Sequence, residues 1–266
     1  KLIFLTMILE FNLNDESFTN TGENLLNAWN KDENKVFVLK SKKSGDDIRK
    51  FYEFFCSSFG KLHKFAEDVK VGNRNNQRTN EVWMEVRFDP NFKDAYRHSS
   101  SEQPLHTDGS YIPNFPNATL MCCVANSKKG GETIFLDTKD LVQCLKKENI
   151  ELFNQLISED RIQERYGDRR VEKGIEENKK NKNLVNFNYF CVSKKNNEKK
   201  LKMAKNFYDF LCSSKKIKEK IKQVKLSPGD AVTWKDRELL HGRNSFSALE
   251  SSERFLWKCA VNLGNK

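Results

Sequence analysis

Apolar positions recur along this chain with two different spacings, and each spacing predicts a different element. Val36–Leu39 (VFVL) and Ala118–Val124 are continuous apolar runs, the mark of buried strands. Asp46–Phe59 instead sets Ile48, Phe51, Phe54 and Phe55 at helical intervals, which predicts a helix with its apolar stripe turned inward. Glu23–Asn30 reads as a short amphipathic helix. Glu81–Phe88 alternates, with Val82, Met84, Val86 and Phe88 on one face and Trp83, Glu85 and Arg87 on the other. That is a strand with one partly polar face. Val71–Asn80 and Asp89–Gln103 are polar and read as loops.

Further on, Ser127–Gly131 is a turn into a strand at Thr133–Leu136. Lys139–Lys147 and Glu151–Ser158 look helical, Leu184–Val192 reads as a strand, and Met203–Cys212 as a helix prolonged by the lysine-rich run behind it. Gln223–Leu226 and Ala231–Trp234 bracket a Pro228–Gly229 turn, and Phe255–Leu263 is a closing strand. Leu2–Leu9 reads as a first strand, or as residues foreign to a natural chain that would start at Met7. Strands on both sides of a helical stretch point to one domain over 1–266, with a mainly β core and a helical, lysine-rich insertion at about 138–222.

Composition narrows the class. Hydrophobic residues are only 37% and charged residues 32%, but the 20 phenylalanines argue against a disordered chain. No apolar run approaches the ~20 residues that cross a bilayer. The 7 cysteines are odd in number and show no CxxC spacing, which excludes a disulfide scaffold or zinc ribbon and fits reduced thiols in the cytoplasm. Cys122–Cys123 reads as core. The net charge of +10 raises the prospect of a polyanionic partner. The surplus is lysine, thickest between Lys173 and Lys222, without interleaved aromatics. It reads as solvated helix faces, and nucleic acid is an unlikely partner.

Only 4 histidines occur. His106-Thr107-Asp108 is an HxD, whose first and third side chains share one side of a strand and can reach one metal. Imidazole and carboxylate together are two-thirds of the facial triad of non-haem Fe(II) oxygenases, and His241 is the candidate third ligand. His98, in the polar loop, reads as exposed or near a substrate, and His63 as surface.

The surroundings of that HxD carry more information than the motif. PLHTDGSY (Pro104–Tyr111), GGET (Gly130–Thr133), LSPGDAVTW (Leu226–Trp234), LLHGRNSF (Leu239–Phe246) and ERFLWK (Glu253–Lys258) follow in order. In this the chain resembles the Fe(II)/2-oxoglutarate-dependent dioxygenases of the taurine dioxygenase and clavaminate synthase type, over about Glu81–Leu263. The resemblance implies a mixed α/β fold with a mainly β core: a double-stranded β-helix, or jelly-roll, with flanking helices. It implies Fe(II) on His106, Asp108 and His241, with 2-oxoglutarate and O2 as co-substrates. Thr133 and Arg254 would hold the distal carboxylate of 2-oxoglutarate. Arg243 is the competing cation, placed to steady the O2 side or the C1 carboxylate. Lys258 departs from the arginine that ends the family's R-x-L-x-R.

The implied activity is hydroxylation or desaturation of an unactivated C–H bond in a small, anionic or amino-acid-like substrate, with release of succinate and CO2. An Asp at position 108 argues against halogenation. Glu85, Arg87, Tyr111 and Asn114 are the candidate substrate contacts, and Asn186 and Asn188 could also face inward. The competing readings are a nucleic-acid demethylase of the same iron chemistry and a jelly-roll binding protein without catalysis.

Overall fold

The computed structural model describes residues 7–13, 18–43, 45, 47–65, 81–91, 96–177 and 182–264. The expected loop at 71–80 and the first six residues lie outside them. The strands and helices, in chain order, are β1 (Ile8–Leu13), α1 (Phe18–Trp29), β2 (Val36–Ser41), α2 (Asp47–Phe59), β3 (Gly60–Leu62), β4 (Met84–Arg87), β5 (Gln103–His106), β6 (Ala118–Ala125), β7 (Thr133–Asp137), α3 (Thr138–Glu148), α4 (Ile150–Ser158), β8 (Asp160–Arg165), β9 (Asp168–Lys173), β10 (Ile175–Glu177), β11 (Asn183–Val185), α5 (Glu198–Ser213), α6 (Lys215–Lys220), β12 (Lys222–Val224), β13 (Ala231–Lys235), β14 (Leu239–Arg243) and β15 (Phe255–Leu263).

Seven strands form the larger sheet, in the order β1-β2-β13-β6-β15-β3, with β4 also paired to β15. Four form the smaller sheet, β12-β7-β14-β5. Side-chain alternation explains why the central strands are apolar throughout. On β2, Val36 and Val38 enter the layer between the sheets, shared with Trp234 and Leu256 of the same sheet and with Phe135 and Leu239 of the smaller one. Phe37 and Leu39 point the other way, into the cluster under α1 and α2. The smaller sheet repeats the arrangement: Phe135 and Leu239 face the larger sheet, while Ile134, Leu136 and Leu240 pack on α3–α6. Two sheets face each other, each covered by helices on its outer side. This is the mixed, mainly β architecture the sequence predicted.

One contact on the outer side decides a substitution. Gly22 sits within α1, where alanine would favour the helix by about 1 kcal/mol. A Cβ there, however, would lie 1.9 Å from the ring of Phe59, which is held between Phe18 and Phe55. Overpacking costs about 1–3 kcal/mol. Gly22→Ala is therefore expected to lower the urea midpoint, and an unchanged or higher midpoint would show that the ring can yield.

The insertion differs from the expected helical block. It holds α3–α6, but also the hairpins β8–β9 and β10–β11. The strand expected at Leu184–Val192 stops at Val185, because Asn186 and Asn188 spend their side chains locally. Asn186 Nδ2 donates to Ser110 O at 3.1 Å, and Asn188 Oδ1 accepts from Phe190 N at 3.1 Å to start a 3-10 turn at Tyr189–Cys191. The lysine-rich helix is likewise two helices, since Ser214 ends α5 and caps α6, its Oγ accepting from Ile217 N at 3.2 Å. Several of the lysines lie against carboxylates: Lys199 on Glu159 at 2.5 Å, Lys216 on Glu148 at 3.2 Å and Lys220 on Asp140 at 3.4 Å. No described helix is long and apolar enough to cross a membrane.

Candidate iron centre

His241 lies on β14 at the same parity as Leu239, so it faces the layer between the sheets. His106, at the end of β5, is its direct antiparallel partner, and the two rings lie 4.3 Å apart. Asp108 is not on that strand, as the sequence reading had it. The strand ends at His106, and Asp108 enters a turn whose next residue, Gly109, has φ +51 and would put a Cβ 2.2 Å from the ring of Phe115. Glycine is needed there, and the turn swings the carboxylate back toward both imidazoles. Thr107 fixes the swing: its backbone N donates to Phe187 O at 2.7 Å, and its Oγ1 accepts from Phe187 N at 3.0 Å. The x of HxD thereby ties the site to the insertion.

Candidate ligand atoms of His106, Asp108 and His241 all lie within 4.8 Å of one another. His106 Nε2 is 3.8 Å from Asp108 Oδ1, and His241 Nε2 is 3.6 Å from Oδ2. These spacings are too long for hydrogen bonds and leave room for an ion. His106 Nδ1 donates to Pro104 O at 2.8 Å, which leaves Nε2 as the acceptor atom, on the side of Asp108 and 3.2 Å from Gln103 Nε2. Neutral imidazole is the ligating form, and burial favours it. Desolvation pushes His106 down, and pushes His241 well below its ordinary value with help from His106. The donor set thus fits a divalent iron.

The carboxylate is held by two further residues that sequence reasoning did not assign to this role. Lys258 Nζ donates to Asp108 Oδ1 at 2.6 Å, and Thr119 Oγ1 donates to Oδ2 at 3.0 Å. Burial alone would raise Asp108. Lys258, then His241 and His106, outweigh it and hold the carboxyl well below the ordinary range. Asp236 accepts the Asp108 backbone N–H at 3.3 Å, and burial and the charge of Asp108 push its own carboxyl well up.

These shifts set a pH dependence for the metal-free protein. An unfolded imidazole binds its proton near pH ~6.5, and the folded one only lower. Stability therefore falls as the pH drops below about 6.5, by up to about 1.4 kcal/mol per pH unit for each histidine. Asp236, raised in the fold, contributes stability that is lost as pH rises, so it offsets one histidine. His63 and His98 are also lowered by burial and act in the same direction as the triad histidines. The thermal midpoint is expected to be lower at pH 5.5 than at pH 7. A midpoint that rises on acidification would mean the histidines fold protonated.

Parity also places the candidate co-substrate residues. Thr133 on β7 pairs with Arg243 on β14, and both share the inner face with His241. Arg254 immediately precedes β15, at the parity of Leu256 and Lys258. Arg254 and Arg243 both lie over the ring of Phe246, at 4.8 and 5.0 Å. Burial pushes Arg254 down to about 10 and Arg243, with Arg254 beside it, to about 9. Their hydrogen bonds differ. Arg243 donates Nη1 to Tyr96 O at 2.9 Å and Nη2 to Ser99 O and Ser101 O at 2.8 and 2.5 Å. Its fork is used in holding the 96–101 loop. Arg254 is 1% exposed, yet its Nε and Nη1 have no hydrogen-bond partner. Gly131 of the GGET turn makes room for it, since a Cβ there would lie 3.2 Å from Arg254 Nε.

A cavity of about 530 Å³ opens over His106, Asp108 and Lys258. Of the four candidate substrate contacts, Tyr111 lines it. Asn114 does not. It is exposed and occupies the left-handed region, φ +55, where asparagine is tolerated, so it shapes the turn. Glu85 and Arg87 do not line it either. They face each other at 3.5 Å on the side of β4 that carries Trp257 and Phe255, and it is Met84, on the opposite side, that reaches the cavity. His98 is buried rather than exposed, with Nδ1 2.8 Å from Arg87 O. His63 is half-buried against Phe65 and Phe115. Asn188 lines the cavity, while Asn186 is buried behind it. The insertion supplies a whole wall, including Arg165, Tyr166, Tyr189, Phe190 and Tyr208. The lysine-rich segment is therefore part of the site's enclosure, and none of these five residues was a candidate from the sequence.

Solved structures with the same fold include an asparagine oxygenase in complex with Fe(II), hydroxyasparagine and succinate, at 8% identity and a TM-score of 0.69, with 96% of this chain and 94% of that one covered. The non-haem iron oxygenase OrfP, in complex with Fe and alpha-ketoglutaric acid, matches at 11% identity and TM-score 0.67 over 97% and 94%. PvcB from Pseudomonas aeruginosa matches at 14% and 0.60 over 97% and 88%. At these identities the likeness is one of fold. No curated protein sequence matches the chain. The family model described as "Taurine catabolism dioxygenase TauD, TfdA family" matches residues 11–260, nearly the whole length. With a His-Asp-His iron site between its sheets, the chain belongs to that family and is an Fe(II)/2-oxoglutarate-dependent oxygenase.

Proposed function

We propose that this enzyme hydroxylates, or desaturates, an unactivated C–H bond of a small anionic or amino-acid-like substrate, in a single domain working in the reducing cytoplasm. The observation that carries this reading is the buried triad of Nε2, carboxylate and Nε2 donors, two of whose residues, His106 and Asp108, line a cavity of small-molecule size. His106, Asp108 and His241 are assigned as the iron ligands. Iron bound there would couple oxidative decarboxylation of 2-oxoglutarate by O2 to oxidation of the substrate. Arg254 is assigned the distal carboxylate of 2-oxoglutarate, with Thr133 beside it, because its buried Nε and Nη1 lack partners, whereas Arg243 uses both its Nη atoms and leaves only Nε without one. Arg243 instead positions the 96–101 loop. The seven cysteines, none of them in a disulfide, support a reducing compartment, and the lysines paired to carboxylates make a nucleic-acid surface the weaker reading.

The test is spectroscopic. Metal-free protein kept anaerobic is given Fe(II) and then 2-oxoglutarate. A weak visible charge-transfer band that needs both additions, and is missing in His241→Ala, is the expected result. Iron binding without a band, or no iron binding, would overturn the reading. With the band in hand, candidate acids can be screened by succinate release.

A further inference from the structure

β5 carries one residue more than its partner strand. Two steps along β14, from Arg243 back to His241, are matched by three along β5, from Gln103 to His106. In a regular strand, residues three apart face opposite sides. The bulge removes that alternation, so Gln103 shares the inner face with its partner Arg243, as His106 does with His241. Gly242 lets the two strands sit close at this point, since a Cβ there would lie 2.6 Å from Gln103 O. A bulge beside a site re-aims a side chain. The one re-aimed here is a carboxamide that lines the cavity.

Gln103 Nε2 lies 3.2 Å from His106 Nε2. That is shorter than the 3.8 and 3.6 Å that separate the two histidine nitrogens from the oxygens of Asp108. His106 Nε2 carries no proton, because the neutral ring has one N–H and Nδ1 uses it on Pro104 O. The amide therefore donates to the lone pair that an ion would take. It is not needed to set the tautomer, which Pro104 already does. An ion on that lone pair would face the positive end of the amide. Half a turn of the carboxamide exchanges its nitrogen for its oxygen and presents the negative end instead.

The charges around the triad favour that second arrangement. Both imidazoles are neutral, and Asp108 is the triad's one carboxylate. Its Oδ1 is 2.6 Å from the ammonium of Lys258, and its Oδ2 accepts from Thr119 at 3.0 Å. The anion is thus shared between a dication and a buried lysine. A further oxygen dipole offsets positive charge there without a second anion. Asn188, the other carboxamide of the described lining, uses its oxygen on Phe190 N.

We propose that Gln103 is a fourth side chain of the iron centre: it caps His106 Nε2 in the metal-free protein and turns its carbonyl oxygen toward the ion once that lone pair is taken. This inference rests on the iron reading above and deepens it. It gives the bulge on β5 a purpose in metal binding.

The experiment is anaerobic calorimetry of metal-free protein at pH 8, above the ~6.5 of a free imidazole. Fe(II) is the first titrant and 2-oxoglutarate the second. Gln103→Leu keeps the bulk and loses both ends of the amide. Its Fe(II) affinity is expected to fall ~10-fold or more, the loss of one polar contact to a charged group. Were the carboxamide only a cap, its removal would free the lone pair, and Fe(II) would bind as tightly as before or more tightly. Gln103→Glu keeps an oxygen at the same reach and adds a charge. It should bind Fe(II) ~10-fold or more tighter, and the loaded variant should bind 2-oxoglutarate, itself an anion, ~10-fold or more weaker. A glutamine that merely supported the strand would gain no iron affinity from that charge, so this variant decides even if Gln103→Leu folds poorly. With iron bound by the wild type, an undiminished Fe(II) affinity in folded Gln103→Leu, or an unraised one in Gln103→Glu, would overturn this inference alone. Wild-type protein that binds no Fe(II) would overturn the iron reading and this inference with it.

Discussion

Asp108→Ala is expected to abolish Fe(II) binding and reduce 2-oxoglutarate-dependent succinate release to background. The carboxylate is the only anion between two neutral imidazoles, and without it a divalent ion would sit beside Lys258 with no compensating charge. The variant has a second consequence that must be separated from the first. Lys258 Nζ lies 2.6 Å from Asp108 Oδ1, and both side chains are at least 86% buried, at 14% and 10% exposure. Breaking a buried pair by removing one partner costs about 3–5 kcal/mol, because the other charge is left unpaired. Asp108→Ala alone should therefore also lower the thermal midpoint of the metal-free protein. The double variant Asp108→Ala/Lys258→Met removes both charges and should recover most of that loss without recovering iron. Anaerobic iron calorimetry on the folded double variant is the decisive measurement. Iron bound there at wild-type affinity would remove Asp108 from the ligand set.

Much of this architecture could be read from the chain, and the parts that could not share a cause. VFVL at Val36–Leu39 announced a buried strand because both faces of β2 are covered, by helices on one side and by the smaller sheet on the other. HTD, GGET and LLHGR were legible because glycine positions and ligand types are local requirements: Gly109 turns Asp108 inward, and Gly131 admits Arg254. What was missed depends on contacts between distant segments. The alternation at Glu81–Phe88 gave two faces without saying which one meets the cavity, and β15 settles it by pairing Met84 with Lys258. Lys258 looked only like a departure from an arginine motif. Its role as the partner of Asp108, 150 residues away in sequence, exists only in the fold. The β8–β9 hairpin was an avoidable omission. Tyr166-Gly167 between two polar stretches of equal length is a turn signal, but each stretch holds one apolar residue, Ile162 or Val171, too few to show a strand's alternation.

Arg254→Met carries the second large effect, and its two parts have opposite signs. In the protein without 2-oxoglutarate, Arg254 is 1% exposed, and its Nε and Nη1 make no hydrogen bond. Burial has already pushed its pKa down to about 10, which is the same desolvation expressed as a proton affinity. A methionine fills similar space without that cost, so the cofactor-free variant is expected to be as stable as the wild type or more so. Binding is another matter. A dicarboxylate whose distal end meets no guanidinium loses a charge-assisted, two-bond contact, worth about 2–5 kcal/mol when one partner of a buried pair is removed. Affinity for 2-oxoglutarate should fall ~30-fold or more, while Fe(II) binding, assigned to His106, Asp108 and His241, should hold. Thermal unfolding with and without 2-oxoglutarate, in the presence of the metal, reads both parts at once. The wild type should gain a clear upward shift from the ligand, since whatever binds only the folded state stabilises it, and the variant should start as high and gain little. Arg243→Met is the comparison that gives this meaning. Its fork holds Tyr96, Ser99 and Ser101, so its loss should lower the starting midpoint in the absence of any ligand. If Arg254→Met kept the full ligand-induced shift and Arg243→Met lost it, the two arginines would have to exchange roles, and the 96–101 loop would become part of the co-substrate site.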